Sequence, residues 1–149
     1  MARSRFPVPA LLGAAIAMSA TLSGCAQGVR QANADELTPR QLAVLERELG
    51  GKTAGQPTAC LASTRTDNVI RVSDNILLYR VSGNLVYKNE LNPGCPGLSD
   101  DSEIMVSEIR GPGPCRGDII HMVDHTSGIR GASCALGDFV PYRRARAAE

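Results

Sequence analysis

The stretch that decides the fold is residues 75–91, Asn-Ile-Leu-Leu-Tyr-Arg-Val-Ser-Gly-Asn-Leu-Val-Tyr-Lys-Asn-Glu-Leu. Two aliphatic runs, 75–81 and 85–91, flank Ser82-Gly83-Asn84, which is typical of a tight turn. The second run alternates between faces, with Tyr87 on one and Val86 on the other. These features predict a β-hairpin.

Further short runs of this kind lie on both sides of the hairpin. We predict strands at 69–72, 104–109, 118–123 and around 134–140, separated by proline- and glycine-rich segments at 92–98 and 111–117. The predicted fold is mainly β: a small disulfide-linked open barrel or sandwich of five to six strands, preceded by one short α-helix. The barrel is preferred because a short chain hides its strand edges better by curling.

The helix is predicted from a start signal at Thr38-Pro39-Arg40-Gln41. Threonine is a favoured N-cap, proline suits the first helical position, and glutamine three residues after the cap reaches back to it. Gly50-Gly51 supplies the stop. The apolar stripe is Leu42, Leu45 and Leu49. A helix this short is marginal alone, so the stripe packs on its own domain or on a partner, and we favour its own domain.

Composition limits the function. The chain has 149 residues, with 16 Lys plus Arg against 15 Asp plus Glu, which allows one modest domain. This near balance of charge argues against a general nucleic-acid binder. Hydrophobic residues make up 43%, too many for a chain disordered throughout.

The N-terminus has the three parts of a secretory signal. Arg3 and Arg5 precede an apolar stretch at 10–20, and small residues follow. A membrane-spanning helix is the alternative, but the apolar run is shorter than the roughly 20 residues that a bilayer requires. We therefore predict export.

Leu22-Ser23-Gly24-Cys25 resembles the lipobox of bacterial lipoproteins. That resemblance implies cleavage before Cys25, with diacylglycerol on its thiol and an acyl chain such as palmitate on its amine. These lipids anchor the protein to a membrane. An ordinary signal peptide cut near Ala26 is the alternative. In lipoproteins of Gram-negative bacteria an aspartate after the cysteine favours inner-membrane retention. Ala26 stands there, so we expect an outer-membrane lipoprotein facing the periplasm.

We divide the chain into five segments. They are a lipoprotein signal peptide at 1–24, a lipidated tether at 25–37, a short helix and linker at 38–59, a four-cysteine β domain at 60–142 and a basic tail at 143–149.

The four remaining cysteines, Cys60, Cys95, Cys115 and Cys134, form an even set in an exported chain, which predicts two disulfides. A zinc site is the alternative, but its cysteines are usually closely spaced pairs. We predict that Cys60 pairs with Cys134 and Cys95 with Cys115, because these pairs join the ends of the β region and the loops flanking one strand.

The series Cys60, Pro93-Gly94-Cys95-Pro96-Gly97-Leu98, Cys115-Arg116-Gly117-Asp118 and Cys134 resembles an uncharacterised family of small exported bacterial proteins with four spaced cysteines. The resemblance covers residues 60–142. It implies a shared domain and brings no catalytic residue with it.

His121 and His125, with Asp118 nearby, are the best candidates for chemistry, as metal ligands or as part of a hydrolase. A solvated strand end is the alternative that we prefer. The acidic run at 100–103 lacks the pattern of a calcium loop, and Arg116-Gly117-Asp118 is read as a tight turn.

From these features we expect a lipid-anchored cell-envelope protein that is a non-enzymatic structural or binding module of unknown ligand. The alternative is a hydrolase or metal-dependent enzyme that uses His121, His125 and Asp118. No cofactor is expected. The expected partners are the membrane, through the N-terminal lipid, and an envelope protein or polymer.

Overall fold

The computed structural model describes residues 36–61 and 68–145. The predicted signal peptide, Cys25 and nearly all of the tether lie outside these residues. So does the end of the basic tail. Among the described residues, no helix has the length and apolar character that a membrane crossing requires.

The single helix of the described chain, α1, covers Pro39–Leu49. Its start is the predicted capping box: the Gln41 backbone N–H donates to Thr38 Oγ1 at 3.3 Å, and the Thr38 N–H donates to Gln41 Oε1 at 2.8 Å. After the helix, Gly51 has a φ of 68°, a conformation that favours glycine. The predicted helix is confirmed, at its start and at its end.

Eight strands follow the helix. They are β1 Thr53–Ala54, β2 Val69–Ser73, β3 Ile76–Ser82, β4 Leu85–Glu90, β5 Glu103–Glu108, β6 Ile119–Asp124, β7 Arg130–Ala135 and β8 Phe139–Arg143. They form two antiparallel sheets, one with strand order β1-β8-β4-β3-β2 and one with order β5-β6-β7. The predicted hairpin is β3–β4.

The mainly β fold and the preceding helix are confirmed, but the preferred barrel is wrong, because the two sheets do not close on each other. The strand count also exceeds the predicted five to six. The last strand, expected around 134–140, is instead the end of β7 and the start of β8. They are separated by a bend at Gly137, where a side chain would collide with the Glu90 carbonyl. β1 has only two residues, too short for a periodic pattern. Arg143, assigned above to the tail, ends β8.

The strands of the larger sheet bury both faces, which explains why β3 is nearly all apolar. Leu77 and Tyr79 face a core shared with the three-stranded sheet, while Ile76 and Leu78 face α1. The main core is Leu61, Leu77, Tyr79, Leu91, Cys95, Leu98, Ile120, Met122, Leu136 and Phe139. The order of layers is therefore helix, five-stranded sheet, three-stranded sheet.

The helix packs on its own domain, as expected, through Leu45, Leu49 and also Val44. Leu42, the third residue of the predicted stripe, is 52% exposed.

The described residues contain two disulfides, as predicted, but the predicted pairing is wrong. Cys60 is bonded to Cys115, and Cys95 to Cys134. Cys60 and Cys115 face each other across an isolated antiparallel bridge. Cys134 lies on β7 opposite Ile120 and packs against the main core, where Cys95 is fully buried. Joining the ends of the β region and the loops beside one strand was the wrong criterion, because strand register and sheet packing decide which cysteines meet.

Candidate functional site

The structure does not gather the three residues predicted for chemistry around one centre. Asp118 lies just before β6, and its Oδ2 accepts the Cys115 backbone N–H at 2.8 Å. His125 lies in the turn after β6, where its Nδ1 donates to the Ser102 carbonyl at 2.7 Å. His121 lies on β6 and has other partners. Within residues 36–61 and 68–145, no group of three or more His, Cys, Asp or Glu residues is placed to hold a metal ion.

His121 instead belongs to a face of the three-stranded sheet that points away from the core. Side-chain alternation places three side chains each of β5 and β6 on this outer face, and three residues of β7 pair beside them, with a register irregularity between the pairs His121–Ser133 and Val123–Arg130. Going across the sheet, the rows are Ile104, Val123 and Arg130; Val106, His121 and Ser133; Glu108, Ile119 and Ala135. We call these nine residues the outer face.

Three polar side chains form a hydrogen-bonded line on the outer face. His121 Nε2 lies 3.0 Å from Glu108 Oε1, and His121 Nδ1 lies 2.7 Å from Ser133 Oγ. An ionised carboxylate only accepts, so Nε2 of a neutral His121 carries the proton and Nδ1 accepts from the Ser133 hydroxyl. The His121 side chain is 13% exposed, whereas Ser133 lies open to solvent. Glu108 therefore fixes the tautomer of His121 and the orientation of Ser133.

Sequence reasoning selected His121 and missed both of its partners. Glu108 and Ser133 lie 13 and 12 residues away along the chain. They meet His121 only because β5 and β7 flank β6 in this register. No spacing rule within one strand or one helix would have found them.

The line has the order of a nucleophile, a base and an acid, which is the order used in acyl transfer. Its surroundings are those of an open sheet. The hydroxyl meets Nδ1, the ring nitrogen nearer the main chain. Two clefts of the described chain border α1. A third, of about 260 Å³, is lined by Glu108, Arg110, Gly117, Asp118 and Ile119, so it reaches the Glu108 end of the line but not Ser133. The geometry orients Ser133 but does not enclose a substrate over it.

The outer face and its margins also hold most of the exposed large apolar side chains. Ile104 is 53% exposed and Val106 is 41% exposed on the face itself, while Ile109 and Ile129 lie at the ends of its strands with 42% and 68% exposed. Among the described residues, the other exposed large hydrophobic residue is Leu42, on α1. Aliphatic side chains gathered on one sheet face are typical of a contact surface.

Asp100, in the acidic run noted in the sequence, and Asp124, at the end of β6, both stabilise turns. Asp100 Oδ1 accepts from the backbone and the hydroxyl of Ser102, and these hydrogen bonds lower the pKa of Asp100. Asp124 accepts in the same way from Ser127, which lowers the pKa of Asp124. Both acids therefore stabilise the local backbone of their turns.

Arg116-Gly117-Asp118 is the tight turn that the sequence predicted. Gly117 has a φ of 87°, and Arg116 is paired with Asp138, whose two carboxylate oxygens lie 3.0 and 3.2 Å from Arg116 Nη1. With Asp118 holding the Cys115 N–H, both charged members of the tripeptide have structural partners.

Comparisons of this chain with protein-family models, with curated proteins and with solved structures each found no match.

Proposed function

We propose that this protein is a lipid-anchored module of the bacterial cell envelope that acts by binding and not by catalysis. Leu22-Ser23-Gly24-Cys25 supports the anchor, and two disulfides fit a chain exported to an oxidising compartment. The observation that carries the binding role is the outer face, where Ile104 and Val106 are exposed on the regularly paired strand β5.

The proposed location is the outer membrane, with the domain in the periplasm. Ala26 after the lipidated cysteine supports this choice over the inner membrane. Residues 25–37 would then be the tether. Twelve residues beyond Cys25 span at most about 40 Å when extended, so the domain would stay near the bilayer surface.

Membrane fractionation of a Cys25→Ser variant tests the anchor. We expect this variant to leave the membrane pellet and to lose the lipid mass on its N-terminus, because the serine hydroxyl does not replace the lipidated thiol. Ser23→Ala is the matched control, since it keeps a small residue at its position and should pellet as the unchanged protein does. Equal pelleting of both variants would contradict the proposal.

One observation favours a second candidate function, a hydrolase acting on small carboxylic esters. The Ser133 hydroxyl lies 2.7 Å from His121 Nδ1, and Glu108 orders the imidazole. In such a reaction Oγ would attack the ester carbonyl, His121 would take the hydroxyl proton and return it to the leaving alcohol, and water would release the acid.

A fluorophosphonate probe separates the two functions. A binding module should show no more labelling than its Ser133→Ala variant. Labelling that maps to Ser133 and disappears in a His121→Gln variant would favour the hydrolase over the proposal above.

A further inference from the structure

We propose that the outer face is the contact surface between two copies of this chain. This inference rests on the proposed binding role and adds the partner. It is carried by the placement of charge and apolar side chains on the nine residues of the face, which makes the face complementary to itself.

Opposite charges occupy opposite corners of the outer face. Glu108 stands at the end of β5 in the last row, and Arg130 stands at the start of β7 in the first row. Both residues are exposed, and Arg130 has no salt bridge among the described residues. The other two corners hold the uncharged residues Ile104 and Ala135.

In the proposed dimer, two outer faces pack against each other and are related by a two-fold axis that runs between them along the diagonal from Ile104 to Ala135. It places Glu108 against Arg130 of the partner subunit, and Arg130 against the partner subunit's Glu108. Two equivalent ion pairs result from one symmetry operation, as an isologous interface requires.

The same axis matches the apolar residues. It brings Ile104 onto Ile104 of the partner subunit and Val106 onto Val123 of the partner subunit. The strands of the two sheets then cross at about a right angle, which is one of the two established ways for sheets to pack face to face. The interface would have aliphatic contacts near Ile104, His121 of each subunit at its centre, and charged corners.

The bilayer is a poorer occupant because of where the chain enters the domain. The described chain begins at Glu36 and runs directly into α1, which covers the opposite face of the five-stranded sheet. The three-stranded sheet lies on the other side of that layer. A tether that attaches at the helix layer leaves the outer face as the layer farthest from its attachment point.

Nine side chains make a small contact, below the size of standard stable interfaces, so we expect a weak dimer. Lipid anchoring would compensate, because confinement to a membrane raises the effective concentration of one copy near another. The cross-linking test is therefore made on the full lipidated protein in its membrane.

Cysteine cross-linking at the axis tests the proposal. In Ile104→Cys the two new thiols would face each other, and mild oxidation should give a disulfide-linked dimer. Leu42→Cys is the matched control, because Leu42 is 52% exposed and Ile104 is 53% exposed, on opposite sides of the domain. Peptide mapping would check that the two native disulfides remain. No dimer from Ile104→Cys, or equal yields from both variants, would overturn the proposal.

Exchanging the charges at Glu108 and Arg130 tests whether these two corners of the outer face meet in the dimer. Added to Ile104→Cys, Arg130→Glu alone should lower the rate of cross-linking about fivefold, since it removes both intersubunit ion pairs. Adding Glu108→Arg as well should restore the rate, because the exchanged charges attract again between subunits. Failure of the double exchange to restore cross-linking would show that these corners do not meet.

A second measurement tests the dimer without cross-linking, in case a cysteine variant fails to fold. Sedimentation of the full chain carrying Cys25→Ser should show concentration-dependent dimers that Ile104→Asp abolishes and Leu42→Asp leaves unchanged. Because the dimer is weak without the membrane, the concentrations should extend to about 1 mM, and a monomer at all of them would contradict the dimer. Neither result affects the membrane fractionation above, so failure of the dimer and failure of the anchor are distinguishable.

Discussion

Glu48 on α1 accepts two hydrogen bonds from the guanidinium of Arg80 on β3. Arg80 Nε donates to Oε2 at 2.9 Å, and Nη2 donates to Oε1. The Glu48 side chain is 5% exposed, and this charged pair borders the apolar contact between helix and sheet. The hydrogen bonds from Arg80 lower the pKa of Glu48, against the opposing effect of burial. The pair thus fixes where the helix lies on the sheet.

Replacing Glu48 with Gln should destabilise the protein. The substitution keeps the shape but removes the charge that Arg80 pairs with, and hydrogen bonds to a charged group contribute about 1.5–3 kcal/mol. The free energy of unfolding, measured by urea denaturation, should fall by an amount in this range. Glu46→Gln on the exposed side of the same helix is the control and should change stability little. Equal effects of the two substitutions would contradict the role given to Glu48.

The same pair predicts a pH dependence. The folded-state pKa of Glu48 is lowered from its ordinary value of 4.5, so the unfolded chain takes up the proton first as pH falls. The stabilisation is complete above the unfolded pKa and is lost as pH falls through the folded one. Thermal melts below pH 4.5 should therefore show the unchanged protein losing more stability than Glu48→Gln. Parallel loss in both proteins would rule out Glu48 as the source.

Asn89 should be essential to the packing of β4 against the bend before β8. Its side chain is fully buried, Nδ2 donates to the Gly137 carbonyl at 2.7 Å, and Oδ1 accepts the Gly137 N–H at 3.0 Å. Asn89→Ala would leave both Gly137 groups without a partner, at a cost of about 1–3 kcal/mol for each buried group. Urea denaturation checks this, with Asn84→Ala in the exposed β3–β4 turn as the control. A loss below about 1 kcal/mol would show that another group satisfies Gly137.

The disulfide pairing predicts which thiol each substitution releases. Cys115→Ser should free Cys60, and Cys95→Ser should free Cys134, as read by a thiol-reactive mass tag. The bonds close loops of 55 and 39 residues, so in the chain-entropy model each contributes about 4 kcal/mol. Both variants should therefore melt far below the unchanged protein. A tag on Cys95 in the Cys115→Ser variant would instead support the Cys95–Cys115 pairing that was predicted from the sequence.

Local signals in the sequence predicted the local parts of this fold. The capping box at Thr38 and Gln41 depends on residues three apart, and the β3–β4 hairpin depends on one turn, so each pattern is complete within a short window. The same holds for the turn at Gly117.

Relationships between distant segments were the ones that sequence reasoning missed. Cys95 meets Cys134, and Ser133 meets His121, through the register of β6 and β7 and the packing of two sheets. Many registers satisfy the same alternating pattern. Shifting one strand by two residues leaves each side chain on the same face of the sheet but changes its neighbours on the adjacent strand. The outer face could therefore not be assembled from the sequence, although its strands β5 and β6 were predicted; β7 was expected only from residue 134 onward.

The intact mass of the mature protein purified from bacterial membranes tests the central claim, that this is a lipid-anchored envelope module. We predict a chain that begins at Cys25, carries the added mass of diacylglycerol and an amide-linked acyl chain on that residue, and retains both disulfides. A chain that begins at Ala26 or beyond, or one that begins at Cys25 without lipid, would contradict the claim.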